Sequence, residues 1–98
     1  MITTLEKISD KTAVIGIIGL GYVGLPLMLA YTAKGYKTIG FDVDQFKIGS
    51  INCGKSYIDH IDSSQIEEAK NKGLIDATED FSRISEVEAI ILCVPYPP

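Results

Sequence analysis

A chain of 98 residues, 46% hydrophobic and 22% charged, can bury one soluble core and no second domain. Its formal charge of −4, with Lys and Arg scattered, argues against nucleic acid or an anionic membrane as a partner. There is no apolar run approaching the roughly 18 residues of a membrane span, no signal-peptide core at the start, and no metal-ligand spacing around Cys53 and Cys93, so the expectation is a cytoplasmic protein with reduced thiols and no metal.

Taken in chain order, the elements alternate. Val14 to Ile18 is a β-branched run that reads as a buried parallel strand, and Tyr22 to Lys34 after it reads as a helix closed by Gly35. A second strand is expected over Thr38 to Phe41, then a helix capped by Asp44 that runs to Asn52 before Gly54 stops it. The stretch "SYIDHID" reads as a loop. Ser64 with Glu67 three residues on matches a capping box, which predicts a helix through Lys72 ended by Gly73. A brief strand over Ile75 to Ala77, a helical turn around Asp80 to Ile84 and a very apolar strand over Ala89 to Val94 complete the pattern. Such alternation predicts an α/β fold: a parallel sheet of about four strands with helices on both faces, right-handed crossovers and strand order 3-2-1-4.

The turn between the first strand and the first helix, "GLGYVG", matches G-x-G-x-x-G. The hexamer alone is weak, since it also arises in ordinary turns. Its setting makes it specific: it follows a strand, opens a helix, and is answered by Asp42 at the end of the second strand. In that setting Gly19 permits the tight turn, Gly21 lets a diphosphate approach the backbone, and Gly24 lets the helix lie close to the strand. The amides of Tyr22 and Val23, at the positive end of the helix dipole, favour an anion. A carboxylate at Asp42 accepts from both ribose hydroxyls and repels a 2′-phosphate, which points to NAD rather than NADP. Lys47 is open to three roles: reaching the ribose edge, offsetting a phosphate, or standing as an exposed helix lysine. Cys93, set in "IILCV", reads as an inert core thiol whose pKa is raised by apolar surroundings, Cys53 as a partly exposed thiol, and His60 as a loop residue.

The stretch "IGIIGLGYVGLPLMLAYTAKGYKTIGFDVD", with "GKSYIDHI" and the closing "DFSRISEVEAIILCVPYPP", resembles the NAD-binding domain of nucleotide-sugar 6-dehydrogenases, the UDP-glucose and GDP-mannose dehydrogenase superfamily. "SYIDHI" looks more like the branch acting on UDP-N-acetylglucosamine or UDP-N-acetylmannosamine. The resemblance implies a Rossmann-type domain spanning residues 1–98, truncated to about four strands, and NAD as cofactor. It places Gly19, Gly21, Tyr22, Val23 and Gly24 on the diphosphate, Asp42 and Lys47 on the ribose, and Val94, Pro95 and Tyr96 beside the cofactor beyond the last strand. Where the family usually shows Thr between the two prolines, this chain has Tyr96, a longer arm. The family oxidises the sugar C6 alcohol to a carboxylate in two NAD-dependent steps through a cysteine-bound thiohemiacetal, a chemistry that serves polysaccharide assembly. The cysteine, its assisting residues and the UDP-sugar site lie downstream in the family, so no catalytic residue is expected here and the chain by itself should be inactive. Its last strand belongs inside a longer sheet, and as an edge it should favour a homo-oligomer. An NAD(H)-sensing module without chemistry is the alternative.

Overall fold

In the computed structural model, which describes residues 12–93, the expected alternation is present. Strand β1 (Val14–Ile18) leads through the glycine turn into helix α1 (Gly24–Ala33), followed by β2 (Lys37–Phe41), α2 (Gln45–Asn52), α3 (Ser63–Asn71) and β3 (Ile75–Thr78). A 3-10 segment (Phe81–Glu86) then returns the chain to β4 (Ala89–Leu92). All strand pairs are parallel, and their spatial order is β3-β2-β1-β4. Val94, Pro95 and Tyr96 fall outside the described residues, and β4 itself ends at Leu92. No described helix is long and apolar enough to cross a membrane.

Two helix starts differ from the sequence reading. Tyr22 and Val23 belong to the turn that swings the chain off β1, so α1 begins at Gly24, with the Leu25 amide donating back to the Gly21 carbonyl at 3.2 Å. The capping box expected at Ser64 and Glu67 is replaced by a cap from Asp62, whose Oδ1 accepts from the Ser64 amide at 3.0 Å. With Asp62 as the cap, the helix starts at Ser63, and Ser64 falls inside the first turn, where its own amide needs an acceptor rather than its hydroxyl a donor. The neighbouring Ser63 hydroxyl instead accepts from the Ser56 amide at 2.9 Å, tying α3 to the loop before it.

Parallel register sorts the strand residues into rows, and alternate rows face opposite sides. On one side stand Ala77, Gly40, Ile17 and Ile91, and beside them Ile75, Thr38, Ile15 and Ala89. Ile15, Ile17 and Ala77 of these rows pack with Leu25, Met28 and Leu29 of α1, Ile51 of α2 and Ile66 of α3 in one buried cluster. At roughly 1.5–3 kcal/mol for each large aliphatic side chain taken from water, this side carries most of the hydrophobic stabilisation. The other side presents Asp76, Ile39, Gly16 and Ile90, then Thr78, Phe41, Ile18 and Leu92. Its described cover comes from the 3-10 segment: the Phe81 ring lies 5.7 Å from that of Phe41, and Arg83 pairs with Asp76 at 3.0 Å. A Cβ on Gly16 would come within 3.0 Å of a Val87 methyl. This lid protects β2 and leaves β4 bare, so Ile39 and Phe41 are fully buried while Ile90 is 51% and Leu92 66% exposed.

One tertiary tie has no counterpart in the sequence reading. The side-chain amide of Asn52, the last residue of α2, acts as a short strand against β3: its Nδ2 donates to the Ala77 carbonyl at 2.9 Å and its Oδ1 accepts from the Ala77 amide at 3.1 Å. Asn52→Ala leaves that carbonyl without its donor, and urea unfolding should register a loss of about 1–2 kcal/mol with an unchanged denaturant slope.

Candidate functional site

The site is built at the carboxyl ends of the strands, where β2 lies on one side of β1 and β4 on the other, so that crossovers leave in opposite directions and open a crevice. At the end of β1, Gly19 donates its amide to the Phe41 carbonyl at 2.8 Å and turns with φ 99°, a backbone region that side-chain-bearing residues rarely enter. The chain then doubles back so closely that a Cβ on Gly24 would stand 1.7 Å from the Gly19 carbonyl oxygen. No side chain can occupy that position while α1 keeps its distance from β1. At Gly21 the opposite holds: an added Cβ meets nothing within 4 Å, and the residue lines the open crevice. The three glycines of one motif thus answer three separate needs.

Helix α1 begins with Val23 at its cap, which supplies no side-chain acceptor. The first-turn amides of a helix have no acceptor within the helix, so this end offers N–H groups and the positive dipole end to an anion. Tyr22 and Val23 flank it at 79% and 65% exposure.

From the end of β2, Asp42 reaches back under the turn. Its Oδ2 accepts from the Leu20 amide at 2.8 Å and its Oδ1 from the Asp44 amide at 2.9 Å. Partial burial works to raise its pKa, but the backbone amides of Leu20, Asp44 and Val43, with the Lys47 charge, outweigh that and hold the carboxyl below the ordinary range. Asp42 is therefore a charged, oriented acceptor beside the glycine turn. Asp44 caps α2 as expected, accepting from the amides of Phe46 at 3.0 Å and Lys47 at 3.4 Å. Lys47, one turn into the helix, leans toward Asp44 with its Nζ 3.9 Å from the carboxylate and lines the same crevice.

The resulting cleft, about 820 Å³, is bounded by Ile18, the glycine turn, Phe41, the Asp42–Asp44 segment, Lys47, Phe81 and Cys93. Of the residues singled out from sequence, Gly19, Gly21, Tyr22, Val23, Asp42 and Lys47 line it together, and Gly24 shapes it from behind. Val94, Pro95 and Tyr96 lie outside the described residues. Cys93 keeps contact with the core and also reaches the cleft: it is half-buried, packs against the buried cluster, continues the ladder through its amide to the Ile18 carbonyl at 2.7 Å, and lines the cleft rim. Burial does push its thiol pKa up, which disfavours a thiolate. Cys53 and His60 are exposed. Sequence reasoning passed over Val43 and Phe81, and also Tyr57, whose hydroxyl donates to the Leu20 carbonyl. The only signal for Tyr57 was an aromatic residue in a polar loop, with nothing local to say where it docks.

A cradle of open backbone, a helix end and a fixed carboxylate one strand over has the chemistry that holds a dinucleotide. The comparisons point to the same cofactor class. Residues 13–98 match the model of the UDP-glucose/GDP-mannose dehydrogenase family, NAD binding domain. The UDP-N-acetyl-D-mannosamine dehydrogenase of Escherichia coli is 34% identical over 86 residues, 87% of this chain and 20% of the relative. The protein of the same name from Pyrococcus horikoshii is 31% identical over 85 residues, 85% of this chain and again 20% of the relative. Among solved structures, the GDP-mannose dehydrogenase ternary complex from Pseudomonas aeruginosa superposes with a TM-score of 0.81 at 34% identity, covering 85% of this chain and 20% of that one. The chain thus spans about a fifth of the length of the relatives it matches.

Gly21 and Gly24 can be separated by experiment. Gly21→Ala should fold with stability unchanged or raised by up to about 1 kcal/mol, since it restricts the unfolded chain and meets no neighbour. It should also weaken NAD binding about tenfold or more, because the new methyl occupies the space of a close backbone approach. Gly24→Ala should instead lower the melting temperature sharply, at a cost of about 3 kcal/mol or more from the clash with Gly19. Paired thermal melts and calorimetric titrations read both.

Proposed function

The chain belongs to the UDP-glucose/GDP-mannose dehydrogenase family and its cofactor is NAD, and we propose that it is the dinucleotide-binding portion of a nucleotide-sugar 6-dehydrogenase. The parent enzyme, on this reading, oxidises the C6 alcohol of a UDP-N-acetylhexosamine to a carboxylate in two NAD-dependent steps, and residues 1–98 alone are inactive. Relatives named as UDP-N-acetyl-D-mannosamine dehydrogenases support that sugar class. The observation that carries the reading is the pairing of the glycine turn with an ionised Asp42 across 22 residues of sequence, joined by the bond from the Leu20 amide.

When bound, NAD supplies a hydride acceptor. The chain's own residues hold it: the amides from Gly21 onward, at the end of the glycine turn and the start of α1, take the diphosphate, with Tyr22 and Val23 flanking it. Asp42 takes the ribose hydroxyls, and Lys47 stands at the ribose edge, partly neutralising the two carboxylates. Val94, Pro95 and Tyr96, following β4, are proposed to flank the cofactor further along. Phe81, held against Phe41 by its segment's ion pairs through Arg83, walls the adenosine end.

Asp42 rejects a 2′-phosphate by charge, so calorimetry should show NAD binding at least tenfold tighter than NADP. Asp42→Asn, which keeps an acceptor for the Leu20 amide, should narrow that gap with little change in fold. The lowered carboxyl also fixes a pH dependence. Its contribution to stability is complete above about pH 4, the unfolded carboxylate range, and disappears as pH falls through the lower folded value. Acid unfolding of Asp42→Asn should lack that part of the slope, and an identical acid limb would count against an anchored carboxylate.

We further propose that the chain self-associates through β4. Among the described residues β4 pairs only with β1, and Ile90 and Leu92 stand half or more exposed on its face. Analytical ultracentrifugation should show dimers that Leu92→Lys dissolves; a monomer at all concentrations would remove the proposal.

A further inference from the structure

We propose that Tyr57 is a positioning residue for the cofactor, clamping the Leu20 carbonyl so that the glycine turn keeps the shape that receives a diphosphate. The proposal rests on the function proposed above and adds to it a residue outside the glycine motif.

Leu20 sits between Gly19 and Gly21, the two positions with no side chain to anchor them and the widest conformational freedom. It is itself held at three points. Its side chain is fully buried, close enough to β2 that a Cβ on Gly40 would be 2.6 Å from its Cδ2. Its amide donates to Asp42 Oδ2 at 2.8 Å, and its carbonyl accepts from the Tyr57 hydroxyl. In a planar trans peptide the carbonyl and the following N–H point in opposite directions. Holding the Leu20 oxygen toward Tyr57 therefore aims the Gly21 N–H the other way. If the peptide flipped, it would present a carbonyl oxygen where an N–H had been, and an oxygen repels an anion.

Tyr57 is placed for this rather than resting there by chance. The Ser56 hydroxyl before it bridges the Ile58 amide at 3.1 Å and carbonyl at 2.9 Å, and Ile58 is buried. The Ser56 amide is held in turn by Ser63 at 2.9 Å. On this side the turn is not backed by close packing: a hollow of about 170 Å³ lies among Gly21, Tyr22, Phe46 and Tyr57. Burial first, then the charges of Asp42 and Asp44, push the phenol pKa up, so it remains a donor to an oxygen that can only accept.

The test compares the wild-type chain with Tyr57→Phe, which keeps the ring and removes the hydroxyl. Titration with NAD, ADP and adenosine should show NAD and ADP binding weakened three- to tenfold and adenosine unchanged, because the defect lies under the diphosphate. The carbonyl carbon-13 resonance of Leu20 should shift in the variant, since that oxygen loses its donor. Equal NAD and ADP affinity in the two proteins, or a parallel loss for adenosine, would overturn the proposal, as would an unchanged Leu20 carbonyl resonance. Absence of NAD binding by the wild type would instead strike the function reading, while the carbonyl resonance would still decide whether the clamp exists. Tyr57→Leu serves the same comparison should the phenylalanine variant not fold.

Discussion

The approach of α1 to β1 governs the rest of the molecule. With a Cβ at Gly24 excluded by the Gly19 carbonyl, the helix can lie against the strand so that Ile17, Leu25 and Met28 share one core and the helix start opens directly over the end of β1. Packing and binding geometry are set by the same contact. Push the helix outward by the width of a methyl group and the core loses its fit, which interiors tolerate poorly; the amides at the helix start would also leave the crevice. It is a constraint on distance, which is why glycine is needed at a position whose backbone is ordinary helix.

Asp42 is the second fixed point, and it serves two demands at once. Both of its oxygens already accept from backbone amides, Leu20 and Asp44, yet each carboxylate oxygen has a second lone-pair direction for a ribose hydroxyl. The amides do more than hold it. They keep the group ionised against the burial that would neutralise it. A carboxylate left free at the rim would be equally charged but would pay rotamer entropy on meeting a ligand. Anchoring removes that cost in advance.

How much of this was legible in the sequence follows the range of each interaction. The glycine turn, the strands and the Asp42 pairing could be read because each leaves a local pattern: a β-branched run, a spaced triplet of glycines, an acid at a strand end. Alternation and handedness gave the parallel sheet, and strand order followed from the doubly wound dinucleotide-binding pattern. What escaped depends on contacts between distant parts. The tyrosine that touches Leu20 is 37 residues away, Asn52 reaches β3 across 25, and Phe81 meets Phe41 across the sheet. None leaves a periodic trace. The capping error was of a different kind: Ser64 and Glu67 have the correct spacing, but Asp62 is nearer the helix start and carries a charge. The cleft-lining position of Cys93 escaped for the first reason, since it follows from where the end of β4 falls beside β1 and not from anything local to the apolar run.

The open face of β4 reflects how the cover is distributed. The three described α-helices lie on one side, since β1 to β2 and β2 to β3 advance in the same direction and right-handed crossovers must then return over the same face. On the other face the described cover comes from the crossover from β3 to β4, a 3-10 segment of six residues. So short a connection reaches β2 and the near part of β1 but no further. It buries Phe41 and Ile39 and, through Arg83 and its two carboxylates, fixes Phe81 beside the cleft. Lengthening it into a full helix would shelter Ile90 and Leu92 but would also bring more side chains over the strand ends where the crevice opens. The short crossover thus leaves the cleft accessible, and an exposed apolar strand face accompanies it as a consequence of the same geometry.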